Sequence, residues 1–169
     1  MDTLPCLPMP DAHHCEAAQG WTGLGNAAEA YVELEKIRPE LQSHPMVRSA
    51  WLEAWMLGRE WDKARDMAHW LANEFPEEPG FWLHLAYATR RAKAGDLKAA
   101  LRVLTDIQEK FPTEWIIPFN LACYLCQLDR TADAHPHLAR ALEIGGKKIR
   151  AAALDDEDLK PLWPWVKKQ

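Results

Sequence analysis

The side chains able to do chemistry fall in three places: His13-His14-Cys15, the pair Cys123-x-x-Cys126 followed by His135-Pro136-His137, and the acidic run Asp155-Asp156-Glu157-Asp158. A zinc site needs four nitrogen or sulfur ligands in paired spacings. Here one thiol pair sits three residues apart on one helix face with a loose His pair beyond it, and buried thiols in a helical core account for it more simply. A redox pair of the thioredoxin type needs a strand–helix setting that is missing. The acidic run suits a helix N-terminus, where the dipole favours carboxylates, better than a metal site. Ser43 and Ser49 are the only serines. Ser49 lies near His44, but nothing orients that imidazole, so a polar helix start is expected there. No phosphate-cradling Gly-rich loop and no Gly-x-Ser-x-Gly motif is present. The expectation is a protein without catalytic residues, cofactor or metal.

The elements that position these groups are bounded by composition. At 169 residues the chain suits one compact domain or one repeat array. Hydrophobic residues at 48% and charged residues at 27% exclude wholesale disorder. Twenty Lys and Arg stand against 25 Asp and Glu, a net charge of -5, so a general nucleic-acid binder is not expected. The first ten residues carry three Pro and no Lys or Arg, unlike a secretory signal. The most apolar window, 115–126, falls short of the about 20 residues a bilayer requires. A cytoplasmic protein with no membrane partner and reduced thiols is expected.

Strand alternation is absent, and Ala, Leu, Glu, Lys and Arg dominate, as helices prefer. A longer period then emerges. Ala30, Ala64, Ala100 and Ala134 recur at intervals of 34, 36 and 34 residues. Four residues after each come Leu34, Ala68, Leu104 and Leu138, and seven after come Ile37, Leu71, Ile107 and Ala141. Those offsets mark one face of a helix. Turns precede each aligned Ala, and Phe75-Pro76 and Phe111-Pro112 close two units, because Pro cannot continue a helix. Each unit is two antiparallel helices, with helices expected near 12–22, 26–38, 46–57, 60–74, 80–93, 96–110, 115–127 and 131–143. Pro136 should delay the start of the last of these to an Asp133 cap, or kink it. The third unit carries two extra residues near 90–94. Trp51, Trp55, Trp61, Trp70 and Trp82 cluster in units two and three, where core packing is expected for most, with a rim position as the alternative for Trp61.

This pattern resembles the tetratricopeptide repeat. Unit three carries it best, in Trp82, Leu85-Ala86, Gly95-Asp96, Ala100, Leu104 and Pro112. Unit two has Trp51, Trp55, Ala64 and Pro76, and unit four Leu121-Ala122, Leu125, Ala134, Leu138 and Ala141-Leu142. Unit one retains Ala17-Ala18, Trp21, Gly25, Ala30 and Leu34. The resemblance implies an all-α fold, an α-solenoid of about four helix hairpins plus short C-terminal capping helices. Its expected organisation is a flexible segment 1–10, an array over 11–146 (11–44, 45–78, 79–114, 115–146) and a cap over 147–169. The cap resembles the short terminal helices of some bacterial arrays, with Ile149, Leu154, Leu159, Leu162 and Trp163 as cover.

In that family the first helix of each unit lines the concave surface, where peptides bind. The resemblance therefore implies Cys15, Gln19 and Thr22 in unit one, and Ser49, Glu53, Met56 and Leu57 in unit two. Unit three supplies Leu83, Tyr87, Arg90 and Arg91, and unit four Phe119, Cys123, Cys126 and Gln127. Carboxylate-clamp members, which are co-chaperones, set Lys, Asn and Arg at such places to hold a C-terminal carboxylate; Ser49 and Glu53 depart from them, which disfavours a co-chaperone of that type. The reading is a non-enzymatic protein–protein interaction module, a scaffold holding an apolar peptide segment in its groove. The alternatives are a secretion-type chaperone, a self-assembling homodimer, or a groove filled by the chain's own C-terminal helices.

Overall fold

In the computed structural model residues 6–168 are described, and every regular element among them is helical. The chain divides into two compact units, Met1–Lys93 and Ala94–Gln169. The boundary falls inside the third expected hairpin, in the turn that takes up its two extra residues.

The first unit holds α1 (Asp11–Gly23), α2 (Ala27–Glu35), α3 (Pro45–Leu57), α4 (Trp61–Glu74) and α5 (Pro79–Arg91), with a short 3-10 turn at Pro39–Leu41. Successive helices pack as hairpins, and α3 also packs on α1. Their starts follow local chemistry. Asn26 Oδ1 accepts from the Glu29 N–H at 3.2 Å, and Pro45 and Pro79 occupy first-turn positions where no donor is needed. The α1–α2 and α3–α4 turns share one geometry. A left-handed residue (Gly25 at φ 79, Arg59 at φ 60) is followed by an N–H that reaches back to the carbonyl of Trp21 or Trp55, each at 2.9 Å.

The second unit holds α6 (Leu97–Ile107), α7 (Ile116–Gln127), α8 (Thr131–Asp155), a 3-10 segment Glu157–Leu162 and α9 (Trp163–Val166). Asp96 caps α6, its Oδ1 accepting from Ala99 N–H at 2.6 Å. The α7–α8 turn repeats the geometry of the first unit, with Asp129 at φ 58 and Arg130 N–H on Leu125 O at 2.9 Å.

The repeat register coincides with the core. Ala30, Ala64, Ala100 and Ala134 are fully buried, as are Leu34, Ala68, Leu104 and Leu138 four residues on. A methyl group there lets paired helices approach, and stacked hairpins bury what none could bury alone. Close approach also explains Gly58, where a Cβ would overlap the Tyr31 hydroxyl, which donates to Ala54 O at 3.2 Å.

Two expectations are corrected. Residues 1–5 of the segment expected to be flexible lie outside the described residues, and Leu7 is buried with Cys15, Ala18 and Leu34. Helix α8 starts at Thr131 and keeps helical dihedrals through Pro136; Asp133 pairs with Arg130 at 2.8 Å instead of capping a late start. In the second turn the ring forfeits only the bond to the Ala132 carbonyl. The real break is Gly146 at φ 60, ψ -146, a conformation glycine tolerates, and a Cβ on the neighbouring Gly145 would strike Ile149. Finally, the tryptophans expected to pack in the core are half-buried at its edge, where Trp51 packs against the core cluster. Helices spaced by alanine leave no room for an indole between them, and a buried indole N–H must find an acceptor. At the periphery it does: Trp51 donates to Gln42 Oε1 at 2.8 Å, Trp82 to Pro76 O at 3.1 Å and Trp163 to Ala153 O at 3.0 Å.

Candidate interaction surface

Most of the groups that suggested chemistry are engaged structurally. His14 pairs with Glu33 at 2.8 Å, and its hydrogen bond, after that of Lys36, holds the Glu33 carboxyl below its ordinary range. Cys15 points the other way into the core, its thiol raised mainly by burial. His44 Nδ1 accepts from Met46 N–H at 3.3 Å as the cap of α3, while Ser49 lines an apolar crevice with Met46, Leu71, Phe75 and Phe81. Asp156 Oδ1 accepts from Asp158 N–H at 2.9 Å, so the acidic run begins the closing 3-10 segment. His135 lies 4.1 Å from the Trp165 ring. Among the described residues no three His, Cys, Asp or Glu side chains are grouped to hold a metal ion.

The face expected to meet a partner differs between the two units. In the second, Phe119, Cys123 and Cys126 are buried, which corrects their expected exposure. The segment Glu157–Leu162 packs on α7, with Leu159 fully buried, and Cys123 Sγ donates to Asp156 Oδ2 at 3.7 Å. Burial first, then the Asp156 and Asp158 charges, push the Cys123 thiol far above its ordinary value. Gln127 Nε2 is buried and has no hydrogen-bond partner among the described residues. Within 116–126 Asn120 is the one polar side chain, so little of this helix is suited to face solvent.

In the first unit Cys15 is buried, whereas the residues expected on α3 and α5 are exposed or half-buried. Leu57 is 37% exposed and Tyr87 40%. Tyr87 is not isolated: its ring centroid lies 5.8 Å from that of Trp61, and the Arg91 guanidinium carbon sits 3.4 Å from the Tyr87 centroid and 5.6 Å from that of Trp61. Arg91 also donates to the Tyr87 carbonyl at 3.3 Å. Trp61, for which the sequence leaves core or rim open, is half-buried in this stack. Ser49, Glu53, Met56, Leu83 and Arg90 are half-buried. Glu53 has no hydrogen-bond or ion-pair partner among the described residues, and burial raises its carboxyl. His84, beside Leu83, has Nδ1 buried with no hydrogen-bond partner among the described residues, and burial lowers its pKa. Among the described residues no helix is long and apolar enough to cross a membrane.

No protein-family model matches the chain, and no curated protein matches it. Solved structures do. The chain is similar to TTC0263, a thermophilic TPR protein in Thermus thermophilus, with a TM-score of 0.69 at 19% identity over 92% of this chain and 82% of that one. It is also similar to MamA MSR-1 C2, with a TM-score of 0.65 at 16% identity over 95% of each chain. At such identities the likeness is one of fold: the chain is all-α and has the tetratricopeptide-repeat-type fold.

Proposed function

We propose that this chain is a non-enzymatic protein–protein interaction module. Its partner-binding face is the part of the first unit that carries Ser49, Glu53, Met56 and Leu57 on α3 and Leu83, Tyr87, Arg90 and Arg91 on α5. Phe119, Cys123 and Cys126 have no part in it. The observation that carries the reading is the half-exposed stack of Trp61, Tyr87 and Arg91. Aromatic residues and arginine are the side chains that anchor interfaces. A ring fixed between an indole and a guanidinium loses little further freedom when a partner covers it. Glu53 supports the same reading. A half-buried carboxylate without a partner is costly in the unbound protein, and a donor on the bound segment would remove that cost. The segment that fits is apolar with one basic or amide group.

The test is comparative capture from the native host, with wild-type protein and a Tyr87→Ala, Leu57→Ser variant as baits. A protein retained by the first and lost by the second supports the reading. Equal recovery on both baits contradicts it. Light scattering at working concentration separates this from self-assembly: a stable dimer unaffected by the variant would favour the scaffold alternative.

A further inference from the structure

A second surface of the first unit has a different chemistry. Arg48, Trp51 and Trp55 recur along one side of α3, and Met67, Trp70 and Lys63 face them from α4 across a solvent-open pocket of about 650 Å³. At about 100° per residue this side of α3 lies roughly a third of a turn from Ser49, Glu53 and Met56, so it is separate from the face described above.

The pocket's wall is built rather than incidental. The Trp51 and Trp55 centroids are 5.1 Å apart, and Tyr31 stacks behind Trp51 at 5.9 Å. The Trp51 N–H donates to Gln42, whose amide donates in turn to the Leu34 and Ile37 carbonyls at 2.9 and 3.0 Å. The Arg48 guanidinium carbon lies 3.8 Å from the Trp70 centroid, and among the described residues no carboxylate pairs with it. Stacking uses the flat face of a guanidinium and leaves its N–H edge for a two-point bond to a carboxylate. Lys63 stands 6.0 Å from the Trp55 centroid and is drawn to Glu60 at 3.3 Å. The one acid in the lining, Asp66, is taken up by Arg65 at 2.9 Å.

We propose that this pocket is a separate binding site for an acidic protein segment. A bulky apolar or aromatic side chain of the segment would sit against Trp51, Trp55 and Met67, and a neighbouring carboxylate would bond Arg48. The open side argues for a side chain carried on a larger molecule, since small ligands are held in sites that enclose most of their surface. A nucleic acid would require a row of cations. Glu60 and Asp66 interrupt any such row here, in a chain of net charge -5. The proposal does not depend on the Tyr87 face.

The experiment uses the full chain labelled with nitrogen-15 and follows its indole N–H resonances. The probes are three capped peptides: acetyl-Glu-Glu-Phe-Asp-Glu-amide, its all-lysine counterpart around the same Phe, and the acidic peptide with Ala in place of Phe. The acidic Phe peptide should shift the Trp51, Trp55 and Trp70 signals saturably. The other two should shift them far less, and Arg48→Glu should weaken the response by about tenfold or more. If Arg48→Glu fails to fold, Arg48→Gln together with weakening at high salt reports the same charge dependence. No saturable shift, an equal response to the lysine peptide, undiminished binding by the Arg48 variants, or an equal effect of a short oligonucleotide would each overturn the proposal. None of these outcomes bears on binding at Tyr87.

Discussion

The Cys123 thiol faces the Asp156 carboxylate at 3.7 Å, which ties α7 to the segment that closes the second unit. Burial and the two nearby acids all favour the protonated form, so the thiolate of Cys123 is suppressed.

Thiol reactivity should report this closure. Cys6 is exposed, whereas Cys15, Cys123 and Cys126 are buried. One thiol should label at once with a disulfide reagent at neutral pH, and the other three only as fast as the protein opens. Leu159→Ala, which empties a fully buried site of the closing segment, should accelerate labelling of Cys123 and Cys126 and leave Cys6 unchanged. Immediate labelling of four thiols in the wild type would refute the buried arrangement.

The alanine register makes a second prediction. Ala100 is fully buried, and a larger side chain there forces paired helices apart. Ala100→Leu should lower stability by about 1–3 kcal/mol, whereas Lys98→Ala, two residues away and exposed, should change it by less than about 0.5 kcal/mol. Denaturant midpoints decide it, and an unchanged midpoint for Ala100→Leu would show that the register is wrong.

Asp11 and Arg38 give a pH dependence with a definite sign. The buried Asp11 carboxylate accepts from the Arg38 N–H at 2.8 Å and from its Nε at 2.9 Å, and these bonds hold its pKa below the ordinary value. A lowered folded-state pKa means stability that is complete above the unfolded carboxyl's pKa, about 3.9, and lost as pH falls through the folded value. Asp11→Ala should therefore destabilise most at neutral pH, and its difference from wild type should shrink as the pH drops below about 4. A difference constant with pH would contradict the pairing.

Glu53 should behave in the opposite sense. Burial raises its pKa, so the folded state prefers the proton, and the charged form costs stability above the folded-state value. Glu53→Gln should raise the neutral-pH denaturant midpoint, and the gain should vanish in acid, where the wild-type carboxyl is protonated. A loss of stability in Glu53→Gln at neutral pH would mean that the carboxylate has a partner in solution.

The contrast between Ala100 and Phe119 shows what was legible in the sequence. A helix–helix contact constrains residue size at a fixed spacing, so the small residues at 30, 64, 100 and 134 marked the hairpins and their buried faces. Periodicity assigns Phe119 and Cys123 to a side of α7. It does not say whether a later segment returns to cover that side, and here 157–162 does. The tryptophans misled because their number speaks to surface area and not to depth. Pro136 misled because the cost of a ring depends on which bond it removes, and that is fixed only once the helix start at Thr131 is known.

Calorimetric titration of the partner recovered from the host decides whether affinity resides on the proposed Tyr87 face of the first unit. Tyr87→Ala should weaken binding by about 2 kcal/mol or more with helix content intact, while Lys98→Ala, exposed in the second unit, should bind as wild type. If Tyr87→Ala binds as wild type and a change outside the first unit abolishes binding, the account is contradicted and the partner site lies elsewhere on the chain.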